Sequence, residues 1–252
     1  MNNKRINKNL GKLIDERYIE LFEFFNQCSS DNFKESELGK IPLDWNVYTL
    51  GDYVKVFNGY SYKSEELKES DNAMITIKNF DIDGNFKIDG FKEIQLSEKL
   101  KPQHYVKNFE VLVACTDMTQ DARIIGNSIL LLDNLDYDNI IMSMDLVKVK
   151  STIPEINSFL LGTILKSKRF KHHALGYING TTVLHLDKKA ISKFKIALPT
   201  DFNILLEYGE EFKRYYLEIS HNIKEIEKLT KLRDTLLPKL MSGELDVSGV
   251  DI

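Results

Sequence analysis

Cysteine, tryptophan and proline are scarce in this sequence: its 252 residues hold two Cys, one Trp and five Pro. Cys28 and Cys115 stand alone, with no CxxC and no plausible set of four ligands, so they are read as reduced thiols. That excludes a disulfide scaffold and a structural zinc site. No apolar run approaches the ~18 residues that a membrane span needs. The N-terminus, MNNKRINKN, lacks the apolar segment of a signal peptide, and the expected location is the cytoplasm. Also missing are a Walker loop, a GxSxG elbow, an HExxH pair and a glycine-rich dinucleotide fingerprint, so no cofactor is expected to bind. Pro199-Thr200-Asp201 followed by Glu211-Phe212-Lys213 imitates the spacing of a metal-dependent nuclease site. It falls on a helical pattern in which Asp201 reads as a cap, so no catalytic residue and no metal site is expected.

What is present is an ordinary folded composition, 42% hydrophobic and 29% charged, long enough for one large domain or two small ones. The most organised stretch runs from Asp201 to Leu237. Steps of three and four meet Leu205, Tyr208, Phe212, Tyr215, Ile219, Asn222, Ile226, Leu229, Arg233 and Leu236, with mostly charged residues between them. A narrow stripe of period 3.5 marks a coiled-coil helix. At 1.5 Å per residue it would be roughly 55 Å long, so part of it should leave its own globule and pair elsewhere. Asn222 would set register across that seam, or else mark a solvated gap. Arg233 suits the negative end of the helix dipole or only lays its stem along the seam. Thr200 or Asp201 should cap the start, and Pro238 with Gly243 should stop it. A second apolar-periodic helix over 10–25 could dock on the long one, in the same chain or in a partner. A loop then leads to Trp45.

From Trp45 to Pro199 the pattern becomes one of short strands and frequent turns. Strands are predicted at 47–50, 53–57, 73–77, 110–114, 122–132, 146–150 and 194–199, and helices at 155–173 and 188–192. The fold class is therefore a mixed α+β globule between two helices. The net charge of −4 hides an asymmetry: residues 160–199 hold eight Lys or Arg against one acid, Asp187. Such a local patch is a usable footprint for a polyanion, although charge runs are often only solvated faces. His172, His173 and His185 have no carboxylate or thiol companions at ligand spacing and are read as surface or packing residues. In the turn Thr116–Asp121, Asp117 and Asp121 could hold a metal, but hydrogen bonding to bases accounts better for Thr119 and Gln120.

Several segments, in order, resemble one family. Gly39-Lys40-Ile41-Pro42-Leu43-Asp44-Trp45 is similar to the GxIPxxW opening of a target recognition domain in the specificity subunits of type I restriction-modification systems. Residues 113–126, VACTDMTQDARIIG, resemble that family's TDxTQ loop, and Gly180-Thr181-Thr182-Val183-Leu184-His185-Leu186 with Ile196-Ala197-Leu198-Pro199 resemble its closing segments. Residues 232–245, LRDTLLPKLMSGEL, match the LRDxLLPKLxSGE ending of its conserved helix. The resemblance implies an N-terminal helix and linker over 1–40, a target recognition domain over 41–200, and a spacer helix with its tail over 201–252. The usual member carries two recognition domains, and this sequence has one. It looks like a half-size subunit, which a two-fold dimer through the long helix would complete.

The function that the resemblance implies is recognition without catalysis. One domain would read a half-site of double-stranded DNA, and the dimer would read an interrupted palindrome. Modification (methyltransferase) subunits, which bind S-adenosylmethionine, and restriction subunits would dock on the helices. Expected base contacts are Tyr60, Lys63, Lys78, Asn79, Thr119, Gln120, Arg123, Tyr177, Asn179, Thr181 and Thr182, all polar or aromatic residues of turns. Phosphate contacts are expected from Lys166, Lys168, Arg169, Lys171 and Lys189. An alternative remains open: an adaptor that assembles with modification subunits without useful DNA specificity.

Overall fold

The computed structural model describes residues 2–28, 32–117, 119 and 121–244. The first apolar-periodic stretch forms α1 (Asn2–Phe22), which begins earlier and ends sooner than its pattern indicates. Phe25 lies beyond it in a left-handed conformation and is still buried, edge-on to Trp45 and Phe33. The segment expected to be a loop folds into a hairpin of β1 (Phe33–Ser36) and β2 (Gly39–Pro42), turned at Gly39 with φ +91°. Its strands are too short and too polar to announce themselves by alternation.

The central part runs β3 (Trp45–Thr49), β4 (Val54–Asn58), β5 (Asn72–Ile75), β6 (Lys92–Glu93), β7 (Tyr105–Val106), β8 (Val111–Ala114) and β9 (Thr116–Asp117). It continues with β10 (Ser128–Leu130), β11 (Asn139–Met142) and β12 (Leu146–Ser151), then α2 (Ser158–Lys166) and α3 (Lys168–Leu175). The last elements are β13 (Ile178–Asn179), β14 (Leu184–Leu186), α4 (Lys189–Ser192), β15 (Lys195–Pro199) and the long α5 (Asn203–Met241). The helix expected over 155–173 is two helices. Ser167 ends the first and caps the second, its hydroxyl accepting from the Phe170 amide.

An antiparallel sheet of order β10-β8-β12-β4 stands at the centre. Strand β8 is buried at every residue because both of its faces are covered, which is why it reads as a continuous apolar run. Val111 and Val113 join Leu160, Leu161 and Ile164 of α2 in the main core. Leu112 and Ala114 face the other way, into a second core with Ala73, Ile75, Ile140 and Met142 from a mixed sheet of order β6-β5-β11-β7. The result is helices on one face of the central sheet and a second sheet on the other. Lys148 of β12 interrupts the second core, buried but paired with Glu110 at 3.0 Å and bonded to the Tyr105 carbonyl.

Helix α5 behaves differently in its two halves. Its first half is buried at Leu205, Gly209, Phe212, Tyr216, Ile219 and Asn222. It lies between α2 and an antiparallel α1, tied by Arg17 to Glu211 (2.8 Å), Asn222 to Asn7 (2.9 Å) and Asn3 to Glu225 (2.6 Å). At Gly209 the approach is so close that a β-carbon would sit 2.4 Å from Asn157, the residue capping α2. From Lys228 onward only Thr230 is partly covered and Lys231 meets Asp136 at 3.7 Å, while Leu229, Leu232, Leu236, Leu237 and Leu240 are exposed.

Both expected ends of α5 need correction. The cap position is Phe202, which has no side-chain cap; Asp201, one residue before it, accepts from the Asn203 amide at 3.0 Å, and the Thr200 hydroxyl donates to the Asp44 carbonyl. Pro238 lies inside the helix, because losing one donor near an exposed end leaves enough bonds to carry the last turn. The stop is at Gly243, left-handed with φ +74° and donating to Leu240. No helix among the described residues is long and apolar enough to cross a membrane.

Candidate nucleic-acid interface

Strand directions decide which loops meet. In the central sheet β4 and β8 finish, and β10 and β12 begin, at one end: Asn58 pairs with Val147, Leu146 with Ala114, and Ser128 with Val113. The parallel strands β5 and β11 finish at the same end, since β11 turns into β12 through only Ser143, Met144 and Asp145. Above it β9 continues from β8 and joins a three-stranded sheet with β14 and β13, where Asp117 pairs with Leu184 and Asn179 with His185. The loops at 58–63, 76–79, 117–127, 143–145 and 179–183 therefore leave from one end of the globule. Segments that resemble the TDxTQ and GTTxxHL motifs, 67 residues apart between Asp117 and Leu184, become neighbours in one sheet.

Asp117 builds the first of these loops. It is 2% exposed, and its carboxylate accepts from the Thr119 amide (2.8 Å), the Thr119 hydroxyl (2.7 Å) and the amides of Ile124 (2.7 Å) and Ile125 (3.2 Å). Burial alone would raise its pKa, but these four donors outweigh burial and hold the carboxyl below the usual carboxylate range. Lys171 reaches the same loop from α3 and donates to the carbonyls of Ala122, Arg123 and Ile125. Burial pulls its pKa down to about 8. Both oxygens of Asp117 are thus used by its own loop, and no metal-binding group of His, Cys, Asp or Glu occurs among the described residues.

The structure divides the expected contacts. Lys63, Lys78, Thr119, Arg123, Asn179, Thr181, Thr182 and Lys189 are exposed at or beside this end. Arg123 is paired with Asp121 at 2.8 Å, and the Thr119 hydroxyl is spent on Asp117. Tyr177 is half-buried, tilted against His173 with ring centres 4.9 Å apart. Gln120 lies outside the described residues.

Four of the expected contacts have their polar groups engaged inside the chain. Tyr60 is buried, its hydroxyl donating to Glu66 at 2.8 Å and its ring against His104. Asn79 is fully buried and ties the 76–79 turn together, accepting from Thr76 at 2.9 Å and donating to Lys87 at 3.0 Å. Lys166, expected at a phosphate, is ion-paired with Asp15 of α1 at 2.5 Å with only 8% of its side chain exposed. Lys171 is the carbonyl clamp just described. Lys168 and Arg169 face a different side, where they line a shallow pocket with His172 and Lys40.

Residues not expected as contacts also reach the face. Lys188 donates to Asn58, and His185 is exposed on β14. The 143–145 turn was missed because β11, a run of four residues, carries no alternation. The signal that could have found it is Gly59, where a β-carbon would lie 1.9 Å from the Ser143 carbonyl oxygen.

The ten seam positions divide as α5 does. Leu205, Phe212, Ile219 and Asn222 are buried within the chain, and Tyr208, Tyr215 and Ile226 are partly covered, so the first half is not free for a partner. Leu229, Arg233 and Leu236 are exposed. The nuclease-like spacing is taken up by structure: Glu211 pairs with Arg17, and Lys213 with Glu210 at 2.9 Å.

No protein-family model matches the chain. The type I restriction enzyme MjaIX specificity subunit of Methanocaldococcus jannaschii is 28% identical over 256 aligned positions, covering 98% of this chain and 55% of that protein. The MjaVIII specificity subunit of the same organism is 24% identical over 225 positions, covering 87% and 51%. Among solved structures, the S subunit of a type I restriction-modification system from M. genitalium has the same fold, with a TM-score of 0.55 at 16% identity over 94% of this chain and 54% of that one. The chain spans about half the length of the curated relatives it matches. In sequence over nearly its whole length, and in fold, it is similar to the specificity subunits of type I restriction-modification systems.

Proposed function

We propose that the chain is a DNA-reading specificity subunit of a type I restriction-modification complex, a cytoplasmic and non-catalytic component. The carrying observation is that five loops, two of them resembling the family's motifs, leave one end of a doubly covered sheet. Rigid strands below and polar turns above are what base readout needs, since phosphate contacts position a protein and base contacts specify the site. Residues 41–200 read one half-site, 1–40 brace the spacer helix, and 201–252 provide it. The largely bare segment of α5, Lys228 to Met241, is about 21 Å long at 1.5 Å per residue. A second copy covers it, setting two recognition ends a fixed span apart over an inverted repeat. Modification and restriction subunits supply the chemistry.

The test is reconstitution with a modification subunit, followed by methylation mapping and DNA binding at graded salt. One interrupted palindrome should be methylated, and affinity should fall steeply with salt. An assembled complex that shows no sequence preference would make the chain an adaptor instead.

A further inference from the structure

Met144 is 56% exposed, a large apolar side chain at the tip of the β11–β12 turn, among polar loops. Single exposed apolar residues are ordinary on protein surfaces. This one stands on a tip clamped from several sides. The Ser143 amide donates to the Ile75 carbonyl at 3.0 Å, and its own carbonyl accepts from Leu146 at 3.1 Å. The Tyr60 amide donates to Met142 at 2.7 Å, while Gly59 leaves the turn no room to shift toward β4. On the other flank the Cys115 amide donates to the Asp145 carbonyl at 2.7 Å, and the Thr116 hydroxyl to the Asp145 carboxylate at 2.9 Å. Segments ending β4, β5 and β8 thus all hold a turn that shows solvent one thioether side chain. Fixing an apolar prong so firmly has little use for folding, because more than half of Met144 faces solvent and it belongs to none of the core clusters.

We propose that Met144 is a specificity-determining residue that packs against the C5-methyl group of a thymine in the major groove. This methyl is the one apolar group on the base edges, and so the group that an unbranched thioether among hydrogen-bonding neighbours can select. The proposal rests on the DNA-reading function above.

The experiment uses the complex reconstituted with the modification subunit on its mapped target, with each thymine replaced in turn by deoxyuracil. Wild-type affinity should fall about fourfold at one position of the half-site, the worth of one buried methyl group. Met144→Ala should bind the thymine duplex about fourfold more weakly and lose all sensitivity to uracil at that position. Its melting temperature should match the wild type, since the side chain is exposed. Equal uracil sensitivity in wild type and variant, or a target half-site without thymine, overturns the proposal. Absence of any sequence-dependent binding by the wild-type complex removes the underlying function, and this assignment with it.

Discussion

Replacing Asp117 by Asn removes one charge and almost no volume, and it should undo the 117–127 loop. The carboxylate serves four donors, two on each oxygen: the Thr119 amide and hydroxyl on one, the Ile124 and Ile125 amides on the other. An asparagine has one carbonyl oxygen. Whichever pair it keeps, its NH2 group faces the other two donors, and turning the amide over only exchanges the pairs. A hydrogen bond to an ionised group contributes about 1.5–3 kcal/mol, so two lost bonds set an upper range of about 3–6 kcal/mol. Water reaches the rim of this loop, and relaxation should bring the cost to about 3 kcal/mol. That corresponds to loop opening on the order of 100-fold more often, readable as faster hydrogen exchange at the Ile124 and Ile125 amides. The dependence on pH has a definite sign. The folded carboxyl titrates below its unfolded value of about 3.9, so its stabilisation is fully present above that pH and is lost as pH falls through the lower folded value. The gap between wild type and Asp117→Asn should therefore close in acid. Unchanged exchange at these two amides, or a gap that persists undiminished below the folded pKa, would refute the account of how the loop is built.

Adjacent residues give a second contrast. Asn79→Ala leaves the buried Thr76 amide and Lys87 carbonyl without partners and should cost about 2–3 kcal/mol in thermal or denaturant unfolding, whereas Lys78→Ala should change stability by no more than about 0.5 kcal/mol. Equal effects would mean that the 76–79 turn is not held by Asn79. Lys171→Met should loosen the 122–125 carbonyls by about 1–3 kcal/mol and weaken DNA recognition. It should leave the salt dependence of DNA binding unaltered; a slope reduced by about 0.9 would mean that Lys171 meets a phosphate after all. Leu232→Glu combined with Leu236→Glu should shift the sedimenting species toward the 29.2 kDa monomer, with a melting temperature equal to the wild type's at dilutions where both are monomeric, because both side chains are exposed in the chain alone. An undisturbed dimer would place the contact elsewhere.

The elements legible in the sequence were those whose physics is local. Long apolar-periodic helices and the buried β8 and β12 follow from runs of side chains that only one kind of layer can cover. Strand β11 and the β1–β2 hairpin were not legible, since four residues give no period and their partners lie far away: β11 pairs with β5 from 67 residues upstream. At the site the loops were legible as turns, but the fate of each polar side chain was not. Lys78 and Asn79 are equal signals in a sequence; only the close approach of Gly90 to the 78–79 backbone shows that the second is enclosed. Lys171 counted as part of a basic patch because nothing local reveals three carbonyl oxygens waiting across the fold.

The long helix shows how a correct pattern can still mislead about its partner. A seven-residue repeat on a straight α-helix drifts by about 20° per heptad, so four heptads, from Leu205 to Arg233, carry the stripe roughly 80° around the axis. The first part meets α1 and α2 and is buried. By the time the stripe reaches Leu229, Arg233 and Leu236 it has turned away from the side that the globule covers, and α1 has already ended alongside Glu225. One repeat therefore serves two surfaces in succession, the first occupied within the chain and the second left bare. A helix arriving on the bare stripe would approach from a different side than α1, so intramolecular bracing and pairing with a second α5 need not compete for the same residues.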